Sequence, residues 1–384
     1  MNRTTSVTPT LSNTEKNNPP KDFHGSDVDA VADYFGVDAT KMVSFAANVN
    51  PLGISPQLKA KLAEHIDVIS QYPERDYHTL RHAIGNYVDA DPETILVGNG
   101  STELISGVIK SISPRDAILI APSYSEYERE VGLCGGQIRY FPLSRELDWQ
   151  LNVSDLLSFF HPETDMLILC NPNNPTGNAL PLPVLREILQ ACSDHNITVM
   201  IDETYIEFSE HPELFEAIGL TREFENLVVL RGVSKFFAAP GLRLGYGICS
   251  NSSLRDAINH HKDPWTINSL AAKAGEIMFL DEEYQQKTRQ LILQEKQRMA
   301  TKLTETGMVH IYPSEANFML VEITNPTITA YDCFSHCAKQ ELMIRDCTGF
   351  PFLGSQYLRI CMMLPEDNQR LLDALIPILT GGSQ

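Results

Sequence analysis

The chain has 384 residues, 49 acidic against 30 basic side chains, and a formal net charge of −19. That length is enough for one large domain with a smaller companion around a buried core, and so large an acidic excess argues against a general binder of nucleic acid or anionic membranes. No apolar run reaches the roughly 18 to 20 residues that span a bilayer, and the eight cysteines, none in a C-x-x-C pair, read as reduced thiols of a cytoplasmic protein.

In chain order, the opening "MNRTTSVTPTLSNTEKNNPPKD" is polar and proline-bearing, without the apolar core of a signal peptide. Residues 1–22 are expected to be a disordered tail. Residues 23–92 are expected to form an N-terminal arm or lid and part of a small domain. From 93 to 280, short β-rich runs appear at "TILVGNG", "AILIAP", "MLILCNP", "ITVMIDE" and "LVVLRGVSK". Helix-like segments such as "STELISGVIKSI" and "LPVLREILQACSDHN" separate several of them. This alternation predicts an α/β large domain with a mostly parallel sheet covered on both faces. The segment "DEEYQQKTRQLILQEKQRMATKLTETG" reads as a long helix closed by glycine. It opens residues 281–384, where "VHIYPSEANFMLVEI", "ITAYDCFSHCAKQ", "LMIRDC" and "YLRICM" predict a smaller α+β domain. Cys333, His336 and Cys337 fall at helical spacing there. Both a zinc site and a partly buried helix face fit that spacing; the helix face is the reading adopted, and no metal is assigned.

Chemistry-bearing residues gather where the predicted strands end, which is where open parallel sheets bind ligands. "GNGST" places Gly100, Ser101 and Thr102 between a strand and a helix, where free N–H groups and hydroxyls can receive an anion. It is neither a Walker loop nor the dinucleotide fingerprint, whose third glycine is replaced by Glu103. Asn174 follows one strand, Asp202 ends another with Tyr205 three residues on, and Ser234 and Lys235 follow a third. A buried carboxylate can keep a pyridine nitrogen protonated. A lysine relieved of its charge is a nucleophilic amine. Arg243, eight residues after Lys235, offers a planar fork for a phosphate. Each residue alone has an ordinary structural explanation as a turn, cap, packing or surface residue. Together they stand in the chain order that a phosphate-bearing pyridine aldehyde requires. Arg345 and Arg359 are lone arginines in apolar, strand-like runs, and an anionic ligand or an internal ion pair, with Asp346 for example, would offset either charge.

These motifs resemble the fold type I pyridoxal-phosphate enzymes, the class I/II aminotransferase family with the aspartate-aminotransferase fold. "NNPTG", "DETY" and "SKFFAAPGLRLGYG" carry the resemblance, in order and spacing, from about Phe23 to the C-terminus. It implies pyridoxal 5′-phosphate as cofactor, joined as an imine to Lys235. Asp202 would pair with the pyridine nitrogen, Asn174 and Tyr205 with the 3′-oxygen, and Tyr124 would stack on the ring. Ser101, Thr102, Ser234 and Arg243 would hold the phosphate. The family implies a homodimer, with Tyr72 in "QYPERDYHTLR" reaching the neighbouring subunit's cofactor phosphate.

Within the family, "YPERDYHTLRHAI" and "GNGSTE" are similar to the histidinol-phosphate aminotransferase subfamily. "HGSDVDAVADYFG", "SFAANVNPLG" and "DPWTINSLAA" are more similar to the threonine-phosphate decarboxylases of cobalamin biosynthesis. This implies a small phosphorylated amino acid as substrate, threonine phosphate or serine phosphate, and decarboxylation; transamination of the histidinol-phosphate type is the alternative. It assigns His24, Gly25 and Asn48 to a lid, Arg345 to the substrate phosphate, Arg359 to its α-carboxylate, and Asn174 to substrate as well as cofactor. Two departures stand out. Ser26 occupies a lid position that is usually glycine, and "RDC" after Ile344 is more like the aminotransferases. A non-catalytic, cofactor-binding regulator is the reading from another class, and the complete set from Asn174 to Arg243 speaks against it.

Overall fold

A computed structural model describes residues 23–381; the expected tail, 1–22, lies outside the described residues. After a short strand β1 (Val43–Ser44), seven strands build the central sheet: β2 (Ile95–Asn99), β3 (Asp116–Ala121), β4 (Gln137–Pro142), β5 (Met166–Cys170), β6 (Thr198–Asp202), β7 (Leu227–Gly232) and β8 (Leu244–Ile248). Their spatial order is β2-β8-β7-β6-β5-β3-β4, and every pairing is parallel except the two made by β8. β5 and β7 are buried along their whole length. Such strands are covered on both faces, so they read as continuous apolar runs and not as alternations. The helix Leu182–Asp194 shows the complementary pattern, burying Leu185, Ile188, Leu189 and Cys192 on one stripe.

Two strands of this sheet were not read from the sequence. β4 is an edge strand of mixed burial. β8 carries Gly245 and Gly247, residues that weaken a strand reading. The glycines are there because the backbone is crowded. A Cβ at Gly245 would lie 2.4 Å from Ser101 N, and one at Gly247 would lie 2.7 Å from Leu230 Cδ2.

The long helix Glu282–Thr304, capped by the Asp281 carboxylate, leads out of this layer. It is followed by β9 (Val309–Ile311), β10 (Phe318–Ile323), β11 (Leu342–Met343), β12 (Arg345–Asp346) and β13 (Tyr357–Cys361). Four of these form an antiparallel sheet in the order β12-β13-β10-β9, while β11 pairs in parallel with β1. The 23–92 segment therefore divides. Its first part joins the small sheet through β1 and packs the helix Val28–Phe35 against Ala330–Ala338, whereas the helix His78–Val88 packs against Ser269–Met278. Cys333 and Cys337 are buried in the helix Ala330–Ala338, and no group of three metal-ligating side chains gathers among the described residues. No helix among them is long and apolar enough to cross a membrane.

The sheet's direction explains where chemistry can gather. β2, β5, β6 and β7 all point their carboxyl ends to one edge. β8 runs the other way, so the residue before it, Arg243, emerges at that same edge.

Candidate active site

A cavity of about 770 Å³ opens at that edge, between the two layers. Fourteen of the fifteen residues singled out from the sequence line it: His24, Gly25, Asn48, Ser101, Thr102, Tyr124, Asn174, Asp202, Tyr205, Ser234, Lys235, Arg243, Arg345 and Arg359. Tyr72 is the exception. It is 81% exposed, with its ring 4.8 Å from that of Trp265.

Lys235 follows β7 by three residues, and its backbone is clamped. Asn50 N donates to Lys235 O at 3.0 Å, and Asn50 Nδ2 donates to Phe236 O at 2.8 Å. Among the described residues its Nζ has only a neutral partner, donating to Ala47 O at 2.6 Å. Burial, reinforced by Arg359 and Arg243 against Cys361, pushes its pKa down to about 8. Desolvation without a counter-charge favours the free amine, the form that attacks an aldehyde.

Asp202 ends β6 at the cavity floor. Tyr127 Oη donates to its Oδ2 at 2.7 Å, while Thr204 donates to Oδ1 from N at 2.9 Å and from Oγ1 at 2.5 Å. Burial pushes its carboxyl above the usual range in spite of those bonds. A carboxylate so placed is stabilised by a cation brought against it. Beside it, Tyr205 Oη accepts from Asn48 Nδ2 at 3.3 Å, and the Tyr205 ring meets Phe318 edge-on at 5.0 Å.

At the other end lies the helix Gly100–Ile112. Ser101 and Thr102 sit in its first turn, not at the cap. The cap residue Asn99 makes no side-chain bond to the helix, which leaves that turn's N–H groups without a side-chain cap. Gly100 has φ +77°, and a Cβ there would stand 2.3 Å from Arg243 Nη2. The guanidinium is thus packed over the helix start, in the cavity that Ser234 also lines. Arg243 itself adopts φ +56°. Tyr124 caps the start of the next helix, Ser125–Leu133, and burial pushes its hydroxyl up to about 12.

Two further arginines line the cavity with Lys235. Arg359 is 5% exposed and donates from Nη1 to Asn174 Oδ1 and from Nη2 to Ala46 O at 2.6 Å, with its guanidinium carbon 5.3 Å from the centre of the Phe318 ring. It joins none of the ion pairs among the described residues, so the internal ion pair allowed for it is not formed. Arg345 stacks over Phe350 at 5.3 Å. His24, exposed, and Gly25, buried, line the same cavity.

The residues fit a phosphorylated pyridine aldehyde. A desolvated amine, a buried carboxylate in need of a cation and an uncapped helix start with a guanidinium are spread along one cavity. Asn48 Oδ1, Ser123 Oγ and Arg359 Nε, all on residues that line it, are buried without a partner among the described residues. Sequence reasoning missed Tyr127, Thr204, Ser123 and Asn50. Tyr127 had one signal, its i+3 spacing from Tyr124 at a helix start; the others are single polar residues in turns.

Residues 40–375 match the model of the family "Aminotransferase class I and II". The chain is 35% identical over 358 residues to threonine-phosphate decarboxylase of Salmonella typhimurium, covering 93% of this chain and 97% of that one. Among solved structures it is similar to histidinol-phosphate aminotransferase from Clostridium acetobutylicum, with TM-score 0.82, 29% identity, and coverage of 88% and 99% of the two chains. It is also similar to L-threonine-O-3-phosphate decarboxylase from Porphyromonas gingivalis, with TM-score 0.76, 25% identity, and coverage of 87% and 98%. The chain belongs to the class I and II aminotransferase family, and is a pyridoxal-phosphate enzyme with the aspartate-aminotransferase-like fold.

Proposed function

We propose that this enzyme decarboxylates a small phosphorylated amino acid, threonine phosphate or its close relative serine phosphate. The observation that carries the reading is the pair Arg345 and Arg359, facing one cavity with Lys235. Two cationic groups suit a substrate with two anionic groups, a carboxylate and a phosphate. The 35% identity to a threonine-phosphate decarboxylase across nearly the whole chain points the same way.

Pyridoxal phosphate supplies an electron sink for the pair released when a bond to the amino acid's Cα breaks. The protein's own residues do the rest. Asp202, fixed by Tyr127 and Thr204, would hold a proton at the pyridine nitrogen. Ser101, Thr102, Ser234 and Arg243 would bind the cofactor phosphate, Asn174 and Tyr205 would hold the ring oxygen, and Tyr124 would stack on the ring. Arg359 holds the substrate carboxylate; Arg345 and His24 hold its phosphate. Anchoring both anions would fix the orientation of the substituents on Cα, and so which bond breaks. Gly25 and Asn48 shape the lid that excludes water. Lys235 Nζ would deliver the proton that replaces CO₂ at Cα.

Transamination of the histidinol-phosphate type is the second reading. The same Lys235 amine can remove the Cα proton, and the Arg345-Asp346-Cys347 segment and the 0.82 TM-score to such an enzyme favour it. We place the enzyme in the cytoplasm as a homodimer with Tyr72 crossing to the neighbouring site. A single turnover with threonine phosphate separates the readings. Released CO₂ with the aldehyde form of the cofactor regenerated supports decarboxylation. The pyridoxamine form without CO₂ supports transamination.

A further inference from the structure

His24 stands on a tightly held turn. Its backbone N–H donates to Asp27 Oδ2 at 2.7 Å, and its carbonyl accepts from Asp27 N at 3.0 Å. The next residue must be glycine, because a Cβ on Gly25 would lie 2.2 Å from Ala46 O. On this turn Ser26 Oγ lies 2.7 Å from His24 Nδ1, and the Ser26 backbone N–H donates to the same nitrogen at 3.4 Å. A backbone N–H can only donate, so Nδ1 is the acceptor and the neutral ring carries its proton on Nε2. The hydroxyl, at the shorter distance, is the stronger of the two donors. Nδ1 is thereby turned onto its own loop. Nε2, at the far edge of the ring, is the nitrogen left for the cavity that His24 lines.

Neutrality of the ring matters here. Burial, opposed by Asp27 and reinforced by Arg345, Lys235 and Arg359, holds its pKa below the usual histidine value. A neutral imidazole offers an anion either an N–H or a lone pair, and only the first attracts a phosphate oxygen.

We propose that Ser26 is a positioning residue for substrate recognition: its hydroxyl holds His24 as the Nε2–H tautomer and so presents an N–H donor to the substrate's phosphate. This rests on the reading above that the substrate carries a phosphate. It also gives a purpose to the serine that departs from the usual glycine of the lid.

The test uses holoenzyme with ¹⁵N-labelled histidine, the His24 resonances being identified with His24→Gln. Wild type is expected to show protonated Nε2 and acceptor Nδ1, and inorganic phosphate is expected to shift Nε2. Ser26→Ala should give mixed tautomers and bind phosphate several-fold more weakly. Its KM for threonine phosphate should rise roughly fivefold with kcat within twofold, the loss of one neutral hydrogen bond, and Ser26→Thr should restore both. A wild-type ring protonated on Nδ1, or a tautomer and phosphate affinity unmoved in Ser26→Ala, overturns the proposal. The two readings fail separately. Tautomer and phosphate effects without turnover of threonine phosphate leave Ser26 standing and remove the assigned substrate. Turnover with an unmoved ring does the reverse.

Discussion

Arg345 and Arg359 are direct register partners across the antiparallel pair β12–β13, and both line the cavity that holds Lys235. Residues directly opposite in such a pair share a face, and like charges there repel. Arg359 Nε is buried with no partner among the described residues, which adds a desolvation cost. A fold that keeps both arginines gains stability when an anion arrives between them.

Replacing either arginine by glutamine should therefore cost binding more than folding. Arg359→Gln is expected to lower kcat/KM by roughly thirtyfold or more, the range for truncating one partner of a buried charged contact. Melting of the substrate-free protein should change little or rise. A substrate-induced rise in melting temperature that survives in both variants would show that the pair is not the anion receptor.

The amine of Lys235 sets a pH dependence. Its pKa of about 8 lies below the ordinary 10.5, so the neutral, nucleophilic form grows in as pH rises through about 8. The rate at which apo-protein attaches the cofactor aldehyde, trapped by borohydride and read by mass spectrometry, should follow that midpoint. Lys235→Ala should show no attachment and no turnover. A midpoint near 10 would mean that burial does not depress this lysine.

Asp202 depends on Tyr127 for one of its bonds. Tyr127→Phe removes a donor to a buried carboxylate and should cost about 1–3 kcal/mol in stability. It should also shift the visible spectrum of the bound cofactor, because the proposed reading sets that carboxylate against the ring. Asp202→Asn should keep the fold and lose most of kcat. Spectra identical to wild type in Tyr127→Phe would remove Asp202 from the ring's environment.

Behind the site, Arg231 Nη2 bridges Glu203 and Glu216 at 2.8 Å each, with Arg231 and Glu203 fully buried. Glu203→Ala strands a buried guanidinium and should destabilise the protein by about 3–5 kcal/mol. Chemical denaturation measures it. A loss below 1 kcal/mol would mean that Glu216 alone satisfies the arginine.

Tyr72 and Trp265 form an exposed aromatic pair outside the cavity of their own chain. If Tyr72 serves the neighbouring subunit, sedimentation should give a dimer, and Tyr72→Phe should weaken cofactor binding about tenfold, the worth of a hydrogen bond to a charged group. A monomer with full activity would exclude that role.

How much was written in the sequence follows from the reach of local physics. The runs of β5, β6 and β7 are apolar because both sheet faces are covered, so the parallel core was legible from composition along the chain. Asn174, Asp202, Ser234 and Lys235 were legible for the same reason: each stands just past an apolar run, at the edge where such sheets bind ligands. Other features were set by approach in three dimensions. β8 reads poorly because its glycines answer to Ser101 and Leu230, residues distant in the chain. Tyr127 and Asn50 reach the site through hydrogen bonds that span 75 and 186 positions. The opposition of Arg345 to Arg359 and the grip of Ser26 on His24 are register and turn geometry. The sequence by itself determined the elements, which follow from periodicity and residue type, and carried in its motifs the family resemblance that implies the cofactor. Only the tertiary structure decided which charges lose water and which partners hold them, because those depend on distances that folding alone creates.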